Sequence, residues 1–170
     1  MWSVSGDREL FLKTKRKIVI AAHTCPFIDG IVIHNAILEL NTDHKIYTKW
    51  LFFLNPSWCE NIYSKDFVSR QTKILNTLPE FCRVIFPSGG TIWWKSGFYH
   101  LAKQTGSTIF LFGLDYKTKT VVIDYTFDPN CNTFENIKDT CVLRLQKYTP
   151  SVVHKYIIGY GDECYTKKSM

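Results

Sequence analysis

Val84-Ile85-Phe86-Pro87-Ser88-Gly89-Gly90-Thr91-Ile92-Trp93-Trp94-Lys95-Ser96-Gly97-Phe98-Tyr99 joins an apolar strand, a proline and glycine turn, two tryptophans, a lysine and a helix start end to end. Ser96 stands in the N-cap position, Phe98, Leu101, Ala102 and Thr105 share one helical face, and Gly106 lies just past the helix. A junction of this kind collects anions, because a helix start presents unpaired backbone N–H groups and adjacent glycines admit a phosphate close to the backbone.

The chain on either side repeats the strand-then-helix order. Lys17 to Ala22 is a β-branched run suited to a strand buried on both faces. Ile31, Ile33, Ala36, Ile37 and Leu40 then recur at helical spacing, with Asp29 placed to cap the first turn. Lys45 to Phe53 reads as a second strand and Ile62-Tyr63-Ser64 as a very short third one. Phe67, Ile74, Leu75 and Leu78 predict a surface helix before Pro79, followed by a buried strand over Arg83 to Phe86. Thr108 to Leu114 and Thr120 to Phe127 predict two strands joined by a turn. Asn132 and Glu135 form a capping-box-like start to a helix reaching about Tyr148, which Pro150 ends. The alternation implies an α/β domain with a mixed, largely parallel sheet flanked by helices.

At 170 residues and 45% hydrophobic content the chain can bury one sizeable core. The net charge of +6 favours anionic partners, without choosing among nucleic acid, a phosphorylated small molecule and an anionic membrane. No nucleic-acid motif is present, and none is expected to bind. The six cysteines show no Cys-x-x-Cys pair and no zinc-finger spacing, so free thiols in a reducing, cytoplasmic setting and no metal are expected. No window is apolar for the roughly 18 to 20 residues a membrane span needs. Met1 to Leu12, ahead of Lys13, Lys15, Arg16 and Lys17, reads as a frayed start leading into a solvated charge run, or as a weak interfacial anchor.

Two loops fall beyond the ends of strands, where ligands of such sheets bind, and both carry reactive groups. His23 to Asp29 reads His-Thr-Cys-Pro-Phe-Ile-Asp. A histidine oriented by a carboxylate is a general base; equally, Asp29 is a plain N-cap and His23 a turn residue. Cys25 lies too close along the chain to His23 to exchange a proton with it readily, and reads as a packed thiol. In the second loop, Gly89 to Ser96 nearly matches the nucleotide phosphate loop, but Trp94 stands where glycine must let the backbone wrap phosphates. Trp93, Trp94, Phe98 and Tyr99 suit base stacking or a membrane interface, with half or more of them expected in the core. His34, His44, His100 and His154 have no ligand-like spacing and read as surface or packing residues.

From Lys17 to Pro129 these residues resemble the glycerolipid acyltransferase family typified by lysophosphatidic acid acyltransferase, in its short form without transmembrane helices. The stretch Phe86 to Tyr116 is similar to the family's Phe-Pro-Glu-Gly-Thr-Arg block followed by Trp-Lys-Ser-Gly-Phe-Tyr, a helix and a strand ending in Asp-Tyr. The acceptor block diverges: Ser88 or Gly89 replaces the glutamate, and Ile92 follows Thr91 where the family has arginine. The family spacing His-x4-Asp is His-x5-Asp here, which puts Ile28 at the aspartate's ungapped position.

The resemblance implies a glycerol-3-phosphate acyltransferase-like fold in one domain over residues 1–170, with a basic N-terminal segment 1–16 and a C-terminal extension 151–170. It implies an acyltransferase of phospholipid biosynthesis, peripheral on membranes. His23 would be the base and Asp29 its orienting partner, with acyl-coenzyme A or acyl carrier protein as co-substrate and no further cofactor. Ser88, Gly89, Gly90 and Thr91 would hold the phosphate of a lysophospholipid or related hydroxyl acceptor. Lys95, the nearest remaining cation, would stand in for the arginine without its fork geometry. The alternative is a catalytically impaired member serving as a lipid-binding or interaction module.

Overall fold

The computed structural model describes residues 2–22, 28–48, 57–61, 66–87 and 94–150. In chain order these form β1 (Ser3–Gly6), α1 (Arg8–Lys13), β2 (Arg16–Ala21), α2 (Ile28–Glu39), β3 (Lys45–Thr48) and β4 (Cys59–Asn61). Then follow α3 (Phe67–Asn76), β5 (Phe81–Ile85), α4 (Gly97–Thr105), β6 (Thr108–Asp115), β7 (Thr120–Phe127) and α5 (Phe134–Leu145). The strands make one seven-stranded sheet in the order β1-β7-β6-β2-β5-β3-β4. Only β6 and β7 pair antiparallel among the described strands, so the fold is α/β with a mixed, largely parallel sheet.

Central β2 is flanked by β5 and β6, both parallel to it, and from Lys17 onward it is buried on both faces. Its Val19 and Ala21 pack with Val84 of β5, Phe110 and Phe112 of β6, Phe11 of α1, and Val32, Ile33, Ala36 and Ile37 of α2. Ile18 and Ile20 face the other way, with Leu75 of α3, Phe98 and Leu101 of α4, and Ile137 and Cys141 of α5. Two helices therefore cover one face and three the other. On the second face Tyr47 of β3 donates its hydroxyl to Gln71 of α3 at 2.6 Å and accepts from Arg83 of β5 at 3.2 Å. Burial pushes the Tyr47 phenol well up, so it stays a neutral donor.

Several local expectations shift. The N-terminal stretch is not a frayed start: β1 pairs with β7, and Phe11 is buried against Phe110 and Phe112 at ring distances of 5.1 and 5.5 Å. Its partners lie about a hundred residues away, which no local pattern reveals. The strand before Pro87 begins at Phe81 rather than Arg83. The second strand is described over Lys45–Thr48, and Ile62-Tyr63-Ser64 lies outside the described residues; the short strand present is Cys59–Asn61. The cap of α5 is Thr133, whose side chain accepts from Asn136 N, because Asn132 instead spends its amide on the Asp128 carbonyl at 2.9 Å. That helix ends at Leu145 rather than near Tyr148.

Helix α4 ends as the sequence suggests, with Gly106 in the left-handed conformation at φ 62°. Ser96 precedes it, though its side chain makes no capping hydrogen bond. In β7 a bulge leaves Asp124 without a partner, since Leu111 pairs with Tyr125 and Phe112 with Ile123. The extra residue switches the strand's inward side, so Ile123 and Phe127 join opposite faces of the core.

Candidate functional site

β2 leads into α2 on one face of the sheet, whereas its neighbour β5 leads into α4 on the other. Adjacent parallel strands whose connections leave to opposite faces define a topological switch point, where open α/β sheets place their ligand crevice. The connections that follow β2 and β5 include residues 23–27 and 88–93, which are not among the described residues. His23, Cys25, Ser88, Gly89, Gly90, Thr91, Ile92 and Trp93 therefore lie outside the described residues.

Asp29 is described, and it is not a cap. Helix α2 starts at Ile28, so Asp29 lies within its first turn, fully buried. A buried carboxylate needs hydrogen bonds to offset its lost hydration. The Tyr116 hydroxyl donates one to Asp29 Oδ1, reaching over from the end of β6. The amino end of α2 supplies a favourable dipole for the same charge. The carboxylate thus stands where β2 passes into its helix, gripped from the strand on β2's other side.

Lys95 is exposed, and its backbone N–H donates to the Pro87 carbonyl at 3.0 Å, closing the base of the loop between β5 and α4. Lys95 follows β5 as Asp29 follows β2, so both residues come after the carboxyl ends of neighbouring parallel strands. Of the four aromatics Phe98 is buried, Trp94 and Tyr99 are half-buried against the same core, and Trp93 lies outside the described residues. Trp94 meets Phe98 edge-on at 6.2 Å.

Of the four described cysteines, Cys131 is exposed and donates to Asp128, which pushes its thiol up, and the other three are buried. Burial pushes the Cys82 and Cys141 thiols up to about 12 and that of Cys59 up to about 11, so all three stay protonated. Among the described residues no three His, Cys, Asp or Glu side chains converge to hold a metal ion.

Two relationships escaped the sequence reading. Tyr116 was visible only as part of the Asp-Tyr strand end, and its tie to Asp29 spans 87 positions. His34 and His44, without any spacing signal, meet with Nδ1 and Nε2 2.9 Å apart. His44 Nδ1 lies 3.1 Å from the Thr42 carbonyl, which can only accept, so neutral His44 keeps its proton there. Its Nε2 then accepts from His34 Nδ1–H, and the His34 ring stacks on Trp58 at 4.2 Å.

Comparison of the chain with protein-family models, with curated proteins and with solved structures finds no match. No helix among the described residues is long and apolar enough to cross a membrane.

Proposed function

We propose that this chain is an acyltransferase with a glycerol-3-phosphate acyltransferase-like fold, acting at a membrane surface of the cytoplasm. It moves a fatty acyl group from acyl-coenzyme A or acyl carrier protein to the hydroxyl of a lysophospholipid or related acceptor. The observation that carries this reading is the burial of Asp29 at the start of α2 beside the switch point, held by Tyr116. The segments that carry the resemblance follow three adjacent parallel strands in the middle of the sheet, β5, β2 and β6.

In this reading His23 takes the proton of the acceptor hydroxyl as its oxygen attacks the thioester carbonyl. The tetrahedral adduct collapses, the C–S bond breaks, and the departing thiolate recovers the proton from the imidazolium. Asp29 fixes the imidazole tautomer and stabilises its charged form. Backbone N–H groups of Ser88, Gly89, Gly90 and Thr91, with the Lys95 ammonium, receive the acceptor phosphate.

The test is transfer of radiolabelled palmitate from palmitoyl-coenzyme A or palmitoyl acyl carrier protein to lysophosphatidic acid in vesicles. The purified chain should form labelled product, and His23→Ala should reduce it to background. Absence of product from both donors sinks the reading. The replacement of the family's arginine by Ile92 favours a second reading, a lipid-binding module without turnover. That module would bind the vesicles, form no product, and bind equally after His23→Ala.

A further inference from the structure

Helix α2 turns an uncharged row outward. Ile28, Ile31 and Leu38, exposed by 42%, 52% and 50%, stand with Asn35 at spacings of three and four, while Val32, Ile33, Ala36 and Ile37 face the core. The helix has no lysine or arginine, and its two acids are withdrawn: Asp29 is buried, and Glu39 pairs with Arg8 at 2.9 Å. A surface helix ordinarily turns charge to water, so an apolar row facing solvent marks a contact surface. The turn between β6 and β7 lies beside the first turn of this helix, since Tyr116 meets it at Asp29. Tyr116 and Trp2, both half-buried, pack edge-on at 4.9 Å, and Ser3 N donates to the Lys119 carbonyl at 3.0 Å. Lys117 and Lys119 are exposed and make no ion pair among the described residues. The neighbouring carboxylate, Asp115, instead accepts from Lys117 N, Thr118 Oγ1 and Thr149 N.

We propose that this face is a membrane-docking surface, with Ile28, Ile31 and Leu38 entering the headgroup boundary of an anionic bilayer, Trp2 and Tyr116 at the interface, and Lys117 and Lys119 on lipid phosphates. An aliphatic row, amphipathic aromatics and unpaired cations are together what an interfacial lipid contact uses. Charge selects lipid over a second copy of the chain. A two-fold contact through this face would repeat the same cationic patch on both sides, between chains that each carry a net charge of +6. The inference rests on the membrane placement in the acyl-transfer reading and not on turnover.

Co-sedimentation of the full chain with vesicles of phosphatidylcholine, alone or mixed equally with phosphatidylglycerol, tests it with no acyl donor present. Binding should require phosphatidylglycerol and weaken with salt. Ile31→Gln with Leu38→Gln should lower it about tenfold. Lys117→Gln with Lys119→Asn should lower it about 25-fold, near fivefold per lysine. Asparagine suits position 119, where φ is 52°. Leu143→Gln should change nothing, although Leu143 is more exposed, at 68%, because α5 covers the other face of the sheet. No binding, equal binding to both vesicles, full binding by Ile31→Gln with Leu38→Gln, or an equal loss in Leu143→Gln overturns the proposal. So does self-association without lipid that Ile31→Gln with Leu38→Gln abolishes, since the face then belongs to a second copy. Vesicle binding without acyl transfer defeats the acyl-transfer reading and leaves this surface standing. Should a variant not fold, the wild type on nanodiscs of the mixed lipid with a gadolinium-headgroup lipid decides: Ile31 and Leu38 methyl resonances must broaden before those of Ile74 and Leu143, and uniform broadening overturns the proposal.

Discussion

The Tyr148 ring lies directly over Gly113 of β6, so close that a Cβ added there would sit 2.1 Å from the ring Cε2. From that position the phenol donates to Asp124 Oδ1 at 2.6 Å, joining the chain beyond α5 to the bulge of β7. The next residue, Thr149, accepts from the Tyr116 backbone. A glycine in mid-strand thus admits the ring that brings the end of the described chain to the candidate site.

Gly113→Ala should force the ring off the strand. Overpacking of this kind costs about 1–3 kcal/mol, or a fall in Tm of roughly 3–9 °C for a chain of this size. Thermal unfolding checks it. Tyr148→Ala combined with Gly113→Ala should lose little more than Tyr148→Ala alone, because the clash partner is gone. Full additivity would refute the contact.

Asp124 should make stability acid-sensitive. Burial alone would raise its carboxyl, but hydrogen bonds from Arg144, Lys147 and Tyr148 outweigh it and hold the carboxyl below its ordinary value. A depressed carboxyl contributes stability that is complete above the unfolded value near 3.8 and is lost as pH falls through the folded one. Urea midpoints of the wild type should therefore drop below about pH 4. Asp124→Asn should cost about 2 kcal/mol at pH 7 and flatten that drop. An equal acid slope in wild type and variant would exclude this origin.

The His34 and His44 pair should give a second pH dependence, nearer neutrality. Burial lowers both, reinforced at His34 by the neighbouring His44 and at His44 by Arg83, while the Thr42 carbonyl and Asp43 act on His44 in the opposite sense. Because the unfolded histidines take up protons first, this contribution is complete above about pH 6.5 and is lost as pH falls below it. Protonation also sets two N–H groups against each other across the 2.9 Å contact. Stability measured at pH 7.5 and 5.5 should fall, and by less in His34→Gln, where only one imidazole remains. A His34→Gln slope equal to that of the wild type would refute the pair as its source.

Lys95 tests the acceptor side separately from the base. Its backbone already closes the loop base on Pro87, so Lys95→Met should leave Tm within about 2 °C. Loss of the exposed ammonium should raise KM for lysophosphatidic acid several-fold with kcat nearly constant, because a point charge on a remote phosphate contributes uniform binding. A loss confined to kcat would assign Lys95 a different role.

What the sequence determined by itself is what depends on neighbours along the chain. A β-branched run at β2 and apolar runs at β6 and β7 declare strands through their composition and length, and Gly106 ends α4 because a left-handed residue is needed within a few positions of the last turn. The α/β class and the two loops beyond β2 and β5 follow from that alternation. Tertiary structure decided everything that rests on pairs distant along the chain. It made β1 of an N-terminal stretch that read as solvated, moved Asp29 from a cap into a buried helix turn under Tyr116, joined His34 to His44, and aimed Asp124 at α5 through a bulge. The physical reason is that hydrogen-bonding capacity is a property of each residue, whereas the partner that satisfies it is chosen only when the sheet assembles.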